Sequence, residues 1–257
     1  MREKLQEKRK RIDDVIALKE PDRVPFFLVQ NYMPARTEGL AYKDAHYNID
    51  AWVEGCRNFI NKYDPDMYFM IDAPSMGTGF AHDILGTVSI KWPGGTLPDN
   101  IPHQFVEGEY MLQEEYDHFL DDPSDYLIRV FVPRIFGNLQ GLAKLPSLKA
   151  LSLGHAGATI FGMAIFDPEV TDALQRLLEM SRPAAEFIMK VGQGHAELLG
   201  EGQICSSTAP AIVPFDIISD FLRGMRGTMI DMFQVPEKLI AAIEKLYPII
   251  LDSAIQA

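Results

Sequence analysis

The stretch from Arg11 to Gln30, RIDDVIALKEPDRVPFFLVQ, constrains the fold of this chain more than any other. A charged helical pattern gives way, at a proline, to a short apolar run. Ile12, Val15, Ile16 and Leu18 supply one apolar side of the helix. Pro21 is expected to stop it, because the proline ring has no amide proton and clashes with the preceding turn. Val24 to Val29 is then a continuous apolar run, which suits a strand covered on both faces, as in a parallel sheet.

The same order recurs. Trp52, Cys56, Phe59, Ile60 and Tyr63 fall at helical spacing after Asn48 or Asp50; Asp64-Pro65 ends that helix, and Met67 to Ile71 forms a second apolar strand that runs into Asp72. Helix, strand, helix, strand predicts parallel strands joined by right-handed crossovers. Gly202 to Ser206 reads as a third core strand, with Ala209 to Phe215 as its outgoing loop. Between them, Val88 to Ile90 suggests a short strand, and the segment from Trp92 to Pro102 is rich in turn residues. Helical patterns cover Leu112 to Phe119, Pro123 to Phe136 and a segment after Pro146. Asp167-Pro168-Glu169 opens a further helix, and Ser181-Arg182-Pro183 restarts a second that reaches Leu199. Asp216 precedes a helix carrying Ile217, Ile218, Phe221, Leu222 and Met225, and Val235-Pro236-Glu237 opens the last one. No repeat or polar linker interrupts the 257 residues, so one domain with insertions is the natural reading.

A formal charge of -12 argues against a nucleic-acid partner, since phosphate binding calls for a basic patch. The one dense basic run, Lys8 to Arg11, sits among acids and reads as a solvated helix face. Cys56 and Cys205 are far apart and have no CxxC or CxxH neighbour, so neither a disulfide framework nor a local zinc site is visible, and a reduced cytoplasmic setting fits. No apolar run approaches the ~18 residues of a membrane span, and the N-terminus lacks the pattern of a signal peptide.

Asp72 is the leading candidate for chemistry because it follows a parallel strand, at the end where barrel enzymes place their sites. Its bland alternative is to cap the next helix. His82, beside Asp83, follows Asp72 closely enough to share that face, although a buried structural histidine is the simpler reading; His46 lies in the loop after the first strand. For Asp216 capping competes with function, and for Arg223 and Arg226 surface or ion-pair roles do. No HExxH, GxGxxG after a strand, GxxxxGK[ST] or GxSxG occurs, and Gly77, Gly79, Gly94 and Gly95 read as turn glycines.

The ALKEPDRVPF opening, the YFMIDAPSMGTGFAHDILG segment and the run PFDIISDFLRGMRGTMIDMF resemble the uroporphyrinogen decarboxylase superfamily, which includes cobalamin-dependent methyltransferases. The resemblance implies a (β/α)8 barrel of α/β class, of which residues 1-257 form the N-terminal part with about three core strands. It places Asp72 at the decarboxylase's essential aspartate and Asp216 at the mouth of the third strand. It also implies that the isolated chain exposes an apolar sheet edge, unfinished at Ala257. True decarboxylases end the first strand in a motif like RQAGRY, whose two arginines hold substrate carboxylates. Here VQNYMPAR puts Gln30 and Pro34 in their places and leaves only Arg36 nearby. The expected activity is therefore that of the methyltransferase component of a corrinoid-dependent system, with Gln30, Arg36, His82 and Asp216 around a small methylated substrate. Zinc is expected on ligands beyond Ala257, and a separate corrinoid protein is the expected partner; a homodimer is left open. Uroporphyrinogen decarboxylation is the alternative, and a non-catalytic paralogue a third.

Overall fold

The structure is a computed structural model that describes residues 2–72, 78–206 and 211–256. Gly77, the rest of the segment just after Asp72 and the start of the loop from Ala209 lie outside the described residues. The chain gathers into two compact units, each assembled from separated stretches of sequence. The first combines 1–81, 92–104 and 181–208; the second combines 82–91, 105–180 and 209–257.

In the first unit, helix α1 (Arg2–Ile16) leads to strand β1 (Phe27–Leu28). Helices α2 (Met33–Glu38), α3 (Asp44–Tyr47) and α4 (Ile49–Tyr63) follow, and then strand β2 (Met67–Tyr68). β1 and β2 are parallel, with Phe27 opposite Met67 and Leu28 opposite Tyr68. Cys205 bridges to the other side of Tyr68, also in parallel. Tyr68 donates its N–H to Ile204 O and accepts from Ser206 N–H, both at 2.8 Å. The three expected core segments are thus parallel neighbours in chain order.

The ladder is much shorter than the apolar runs suggest, and a closed (β/α)8 barrel is not formed by the described residues. Side chains take over the backbone groups at both ends. Before the ladder, Pro25 has no amide to give, and the Phe26 N–H bonds the Asp66 carboxylate at 2.7 Å. After it, the Gln30 side-chain amide reaches the carbonyls of Phe69 and Met70. The molecule is mainly helical as a result. Burial of β1 on both faces is also corrected: Val24, Phe26, Phe27 and Val29 are exposed, because among the described residues β2 is the only ladder partner of β1.

α1 corrects two further expectations. It ends at Ile16, well before Pro21, with Leu18 in the left-handed region (φ 56°) and Lys19 N–H returning to Asp14 O at 2.7 Å. Val15, Ile16 and Leu18 are exposed, whereas Lys8 and Arg11, expected on a solvated face, are buried. Their partners explain the inversion. Lys8 bonds Asp64 at 2.6 Å and Gln203 at 2.8 Å, and Arg11 reaches Asp22 and Asp66.

α4 is capped by Asn48, whose Oδ1 accepts from Ala51 N–H, and it ends at Asp64, which takes a left-handed conformation (φ 46°) and returns its N–H to Ile60 O. Its inner side places Trp52, Cys56 and Ile60 in a core with Tyr32, Tyr68, Ile71 and Leu198. Each large apolar side chain fully buried there contributes roughly 1.5–3 kcal/mol. Leu198 comes from the long helix Pro168–Gly200. Pro183 lies inside that helix and does not restart it.

The second unit has two apolar clusters. One groups Met111, Tyr116, Phe119, Tyr126, Ile218 and Leu222 with Leu239 and Leu246 of the helix Pro236–Gln256; the other centres on Leu139, Leu142 and Val170.

Candidate functional site

The parallel arrangement brings the residues that follow β1 and β2 to one end of the ladder. Gln30 is buried, and its Nε2 donates to Phe69 O at 2.7 Å and Met70 O at 2.8 Å. Both amide protons face carbonyl oxygens, which fixes the orientation of the group; flipping it would set oxygen against oxygen. Oε1 is left buried with no hydrogen-bond partner among the described residues. The Trp52 indole N–H holds the next carbonyl, Ile71 O, at 2.8 Å. The turn that presents Asp72 is therefore tied from two elements.

Asp72 is half-buried. Burial pushes its carboxyl above the ordinary value, against a smaller opposing hydrogen bond from its own backbone. Among the described residues it makes no ion pair. The buried Cys56 thiol is pushed well up, mainly by burial and further by the Asp72 charge. Among the described residues the next helix starts at Gly79, where Thr78 Oγ1 accepts from Ala81 N–H at 3.0 Å. Gly79 is not a turn glycine: it opens that helix, and a Cβ there would fall 2.3 Å from the Tyr47 ring, which would have to move.

Beside this end, the buried Tyr32 hydroxyl lies 2.9 Å from His46 Nε2 and 3.2 Å from His103 Nδ1. Tyr32 stacks on Tyr42 with centroids 4.7 Å apart and meets Trp52 edge-on. Burial raises the Tyr32 hydroxyl and lowers His103, which favours uncharged forms of both. His46 also lines an open cleft of about 150 Å³ with Tyr47, Thr78, Phe80 and Phe187. Lys190, on the same cleft, ties to Asp50 at 2.7 Å and Glu186 at 3.1 Å. Tyr68 Oη bonds His195 Nδ1 at 2.8 Å with the two rings stacked.

Arg36 is exposed in the last turn of α2, and Pro34 is buried in its first turn. His82 and Asp216 belong to the second unit. There His82 is buried with Nδ1 3.1 Å from Thr87 Oγ1, the structural role that its neighbours suggest. Asp216 is exposed at the end of the one-turn helix Pro214–Asp216, which is preceded by Val213, so it does not act as the cap. Arg223 is buried, bonding Asp231 through Nε at 2.6 Å and the Met111 carbonyl at 2.5 Å, while Arg226 is exposed.

Among the described residues no three His, Cys, Asp or Glu side chains converge as a metal site. Tyr32, Trp52 and His103 are the members of the strand-end group that the sequence reading missed. Tyr32 follows Gln30 by two residues, which was a usable signal; His103 carries none, because it enters from a turn-rich segment far along the chain. No family model matches this chain, and no curated protein or solved structure is significantly similar to it.

Proposed function

We propose that this protein is the methyltransferase component of a corrinoid-dependent system. It would move a methyl group from a small methylated substrate to a separate corrinoid protein, on a uroporphyrinogen decarboxylase-like scaffold in which the parallel trio supplies the first strands of a (β/α)8 barrel. The observation that carries the reading is Asp72: a half-buried carboxyl with no ion pair among the described residues, held at the end of a parallel ladder by hydrogen bonds to the residues just before it. Barrel enzymes do chemistry at that end, and a carboxyl raised by burial is better matched to proton transfer than an ordinary one. Asp72 orients a donor group of the substrate and handles the proton of the departing heteroatom.

Porphyrinogen is disfavoured as substrate by the same geometry. At the two positions where decarboxylases carry arginine, Gln30 is spent on backbone carbonyls and Pro34 is buried in a helix, so paired cations for carboxylates are missing there. Zinc would supply Lewis acidity in such systems. No step here is routed through a metal.

The test is to mix the protein with its corrinoid partner and a panel of methyl ethers, methylamines and methanol, following cobalt methylation by the visible spectrum. Asp72→Asn is expected to lower the rate by about 100-fold with the fold intact. No methylation from any donor, or an Asp72→Asn variant at the wild-type rate, overturns the reading.

A further inference from the structure

Three coordinating heteroatoms, from three separate stretches of the first unit, meet at the Tyr32 hydroxyl. His46 Nε2 lies 2.9 Å from Tyr32 Oη, and His103 Nδ1 lies 3.2 Å from it. Each donor is held by its own surroundings. Tyr32 immediately precedes α2, its ring fixed by stacking on Tyr42 and by the edge of Trp52, and His46 is buried within α3. The segment that carries His103 is pinned to the residues before α3: Tyr42 N–H donates to Asn100 Oδ1 at 3.2 Å, Lys43 N–H to Asp99 O at 3.0 Å, and the Lys43 and Asp99 side chains pair at 2.6 Å. A phenol has one proton to share between two imidazoles, so hydrogen bonding alone needs one ring to donate and the other to accept. The same spacing also suits coordination. Metal–ligand bonds of about 2.0–2.1 Å put neighbouring nitrogen and oxygen donors about 2.8–3.4 Å apart in square or tetrahedral geometry, and both separations fall inside that range.

From this geometry we infer that Tyr32, His46 and His103 form a binding site for one divalent transition-metal ion, at the wall of the cleft that His46 lines. Two imidazoles and a phenolate match ions toward the copper end of the first row, whereas Mg²⁺ and Ca²⁺ prefer sets of carboxylate and carbonyl oxygens. On binding, the Tyr32 O–H bond breaks, an oxygen–metal bond forms and the proton leaves to solvent. Burial already favours the neutral form of His103, which is the form that coordinates. Three protein donors leave a coordination position for water or a small ligand, the pattern of a catalytic ion rather than a structural one. The site does not depend on the role of Asp72.

The test is a Cu²⁺ titration of the full chain in excess Mg²⁺ and Ca²⁺, with the half-buried Cys205 changed to Ser so that its thiol does not reduce the ion. One equivalent is expected to bind, with a phenolate-to-copper charge-transfer band in the visible spectrum and hyperfine splitting from two imidazole nitrogens in the EPR spectrum. Tyr32→Phe keeps the stacked ring and is expected to abolish the band. It is also expected to weaken binding by at least about 100-fold, beyond the cost of losing an outer partner of a ligand. His103→Gln, at the less buried of the two histidines, is expected to weaken binding as much. Melting curves should show Cu²⁺ stabilising the parent protein and neither variant. Copper held equally well by Tyr32→Phe, an EPR spectrum with fewer than two nitrogens, displacement by Mg²⁺ or no binding at all overturns the inference.

Discussion

Asp66 and Asp72 stand six residues apart on either side of β2, and their surroundings are opposite. Asp66, fully buried, takes Arg11 at 2.5 Å, Arg23 at 2.6 and 2.8 Å, and the Phe26 N–H at 2.7 Å. Burial alone would raise its carboxyl, but the hydrogen bonds from Phe26, Arg23 and Arg11 outweigh that and hold it below the ordinary range. Asp72 has burial without an ion pair among the described residues, and its carboxyl is raised. β2 thus has a cation-paired carboxylate just before it and, four residues past its end, one without an ion pair among the described residues. This is the division expected of a parallel βα unit, in which the N-terminal end serves stability and the C-terminal end is free for ligands.

The comparison breaks most visibly at Asp66. Asp66→Ala leaves Arg11 buried without one of its two carboxylate partners and is expected to cost about 3–5 kcal/mol, read as a fall in the urea midpoint. A loss under ~1 kcal/mol would mean that water replaces the carboxylate and that the two ends are not different in kind.

Arg23→Ala is expected to cost much less, about 1 kcal/mol, because Arg23 is half-exposed and Arg11 still holds Asp66. The same urea titration checks it, and equal losses at Arg23 and Asp66 would show that the outer arginine, not the buried one, carries the clamp.

The smallest effect concerns Asp72, and its sign depends on pH. Asp66, with its folded value depressed, contributes stability that is fully present above its ordinary value of 3.8 and is lost as pH falls through the lower folded value. Asp72, with its folded value raised, does the reverse: holding it ionised in the folded state subtracts stability at neutral pH, and acid relieves this. Asp72→Asn is therefore expected to change stability by no more than about 0.5 kcal/mol, as a gain at pH 7 that disappears as pH drops. Melting curves across that range measure it. A loss at pH 7 would give Asp72 a structural partner and weaken the contrast with Asp66.

The parallel trio was legible because period and punctuation are local. The apolar runs at Val24 to Val29, Met67 to Ile71 and Gly202 to Ser206 lie where the three segments pair. Their short extent was not legible, since it depends on Asp66 and Gln30 competing for backbone groups from a neighbouring segment. Lys8 and Arg11 show the same limit. A charge on a helix reads as solvated until Asp64, Asp66 and Gln203, from 55 to 195 residues away, come in to pair with it. Arg223 pairs with Asp231 only eight residues on, within reach of a local pattern, and it is an ion-pair residue.

The sequence alone determined the alternation of helix and apolar segment, the helix starts at Asn48, Asp167 and Val235, and the placement of a carboxylate just past the second strand, because hydrophobic period, capping residues and proline act over a few positions. Only the tertiary structure decided which charges are buried, that Tyr32 meets both His46 and His103, and that Asp66 is held below the ordinary carboxyl range while Asp72 is raised above it. Burial and pairing are properties of neighbours in space, and hydrogen bonds between residues dozens of positions apart leave no local pattern in the chain.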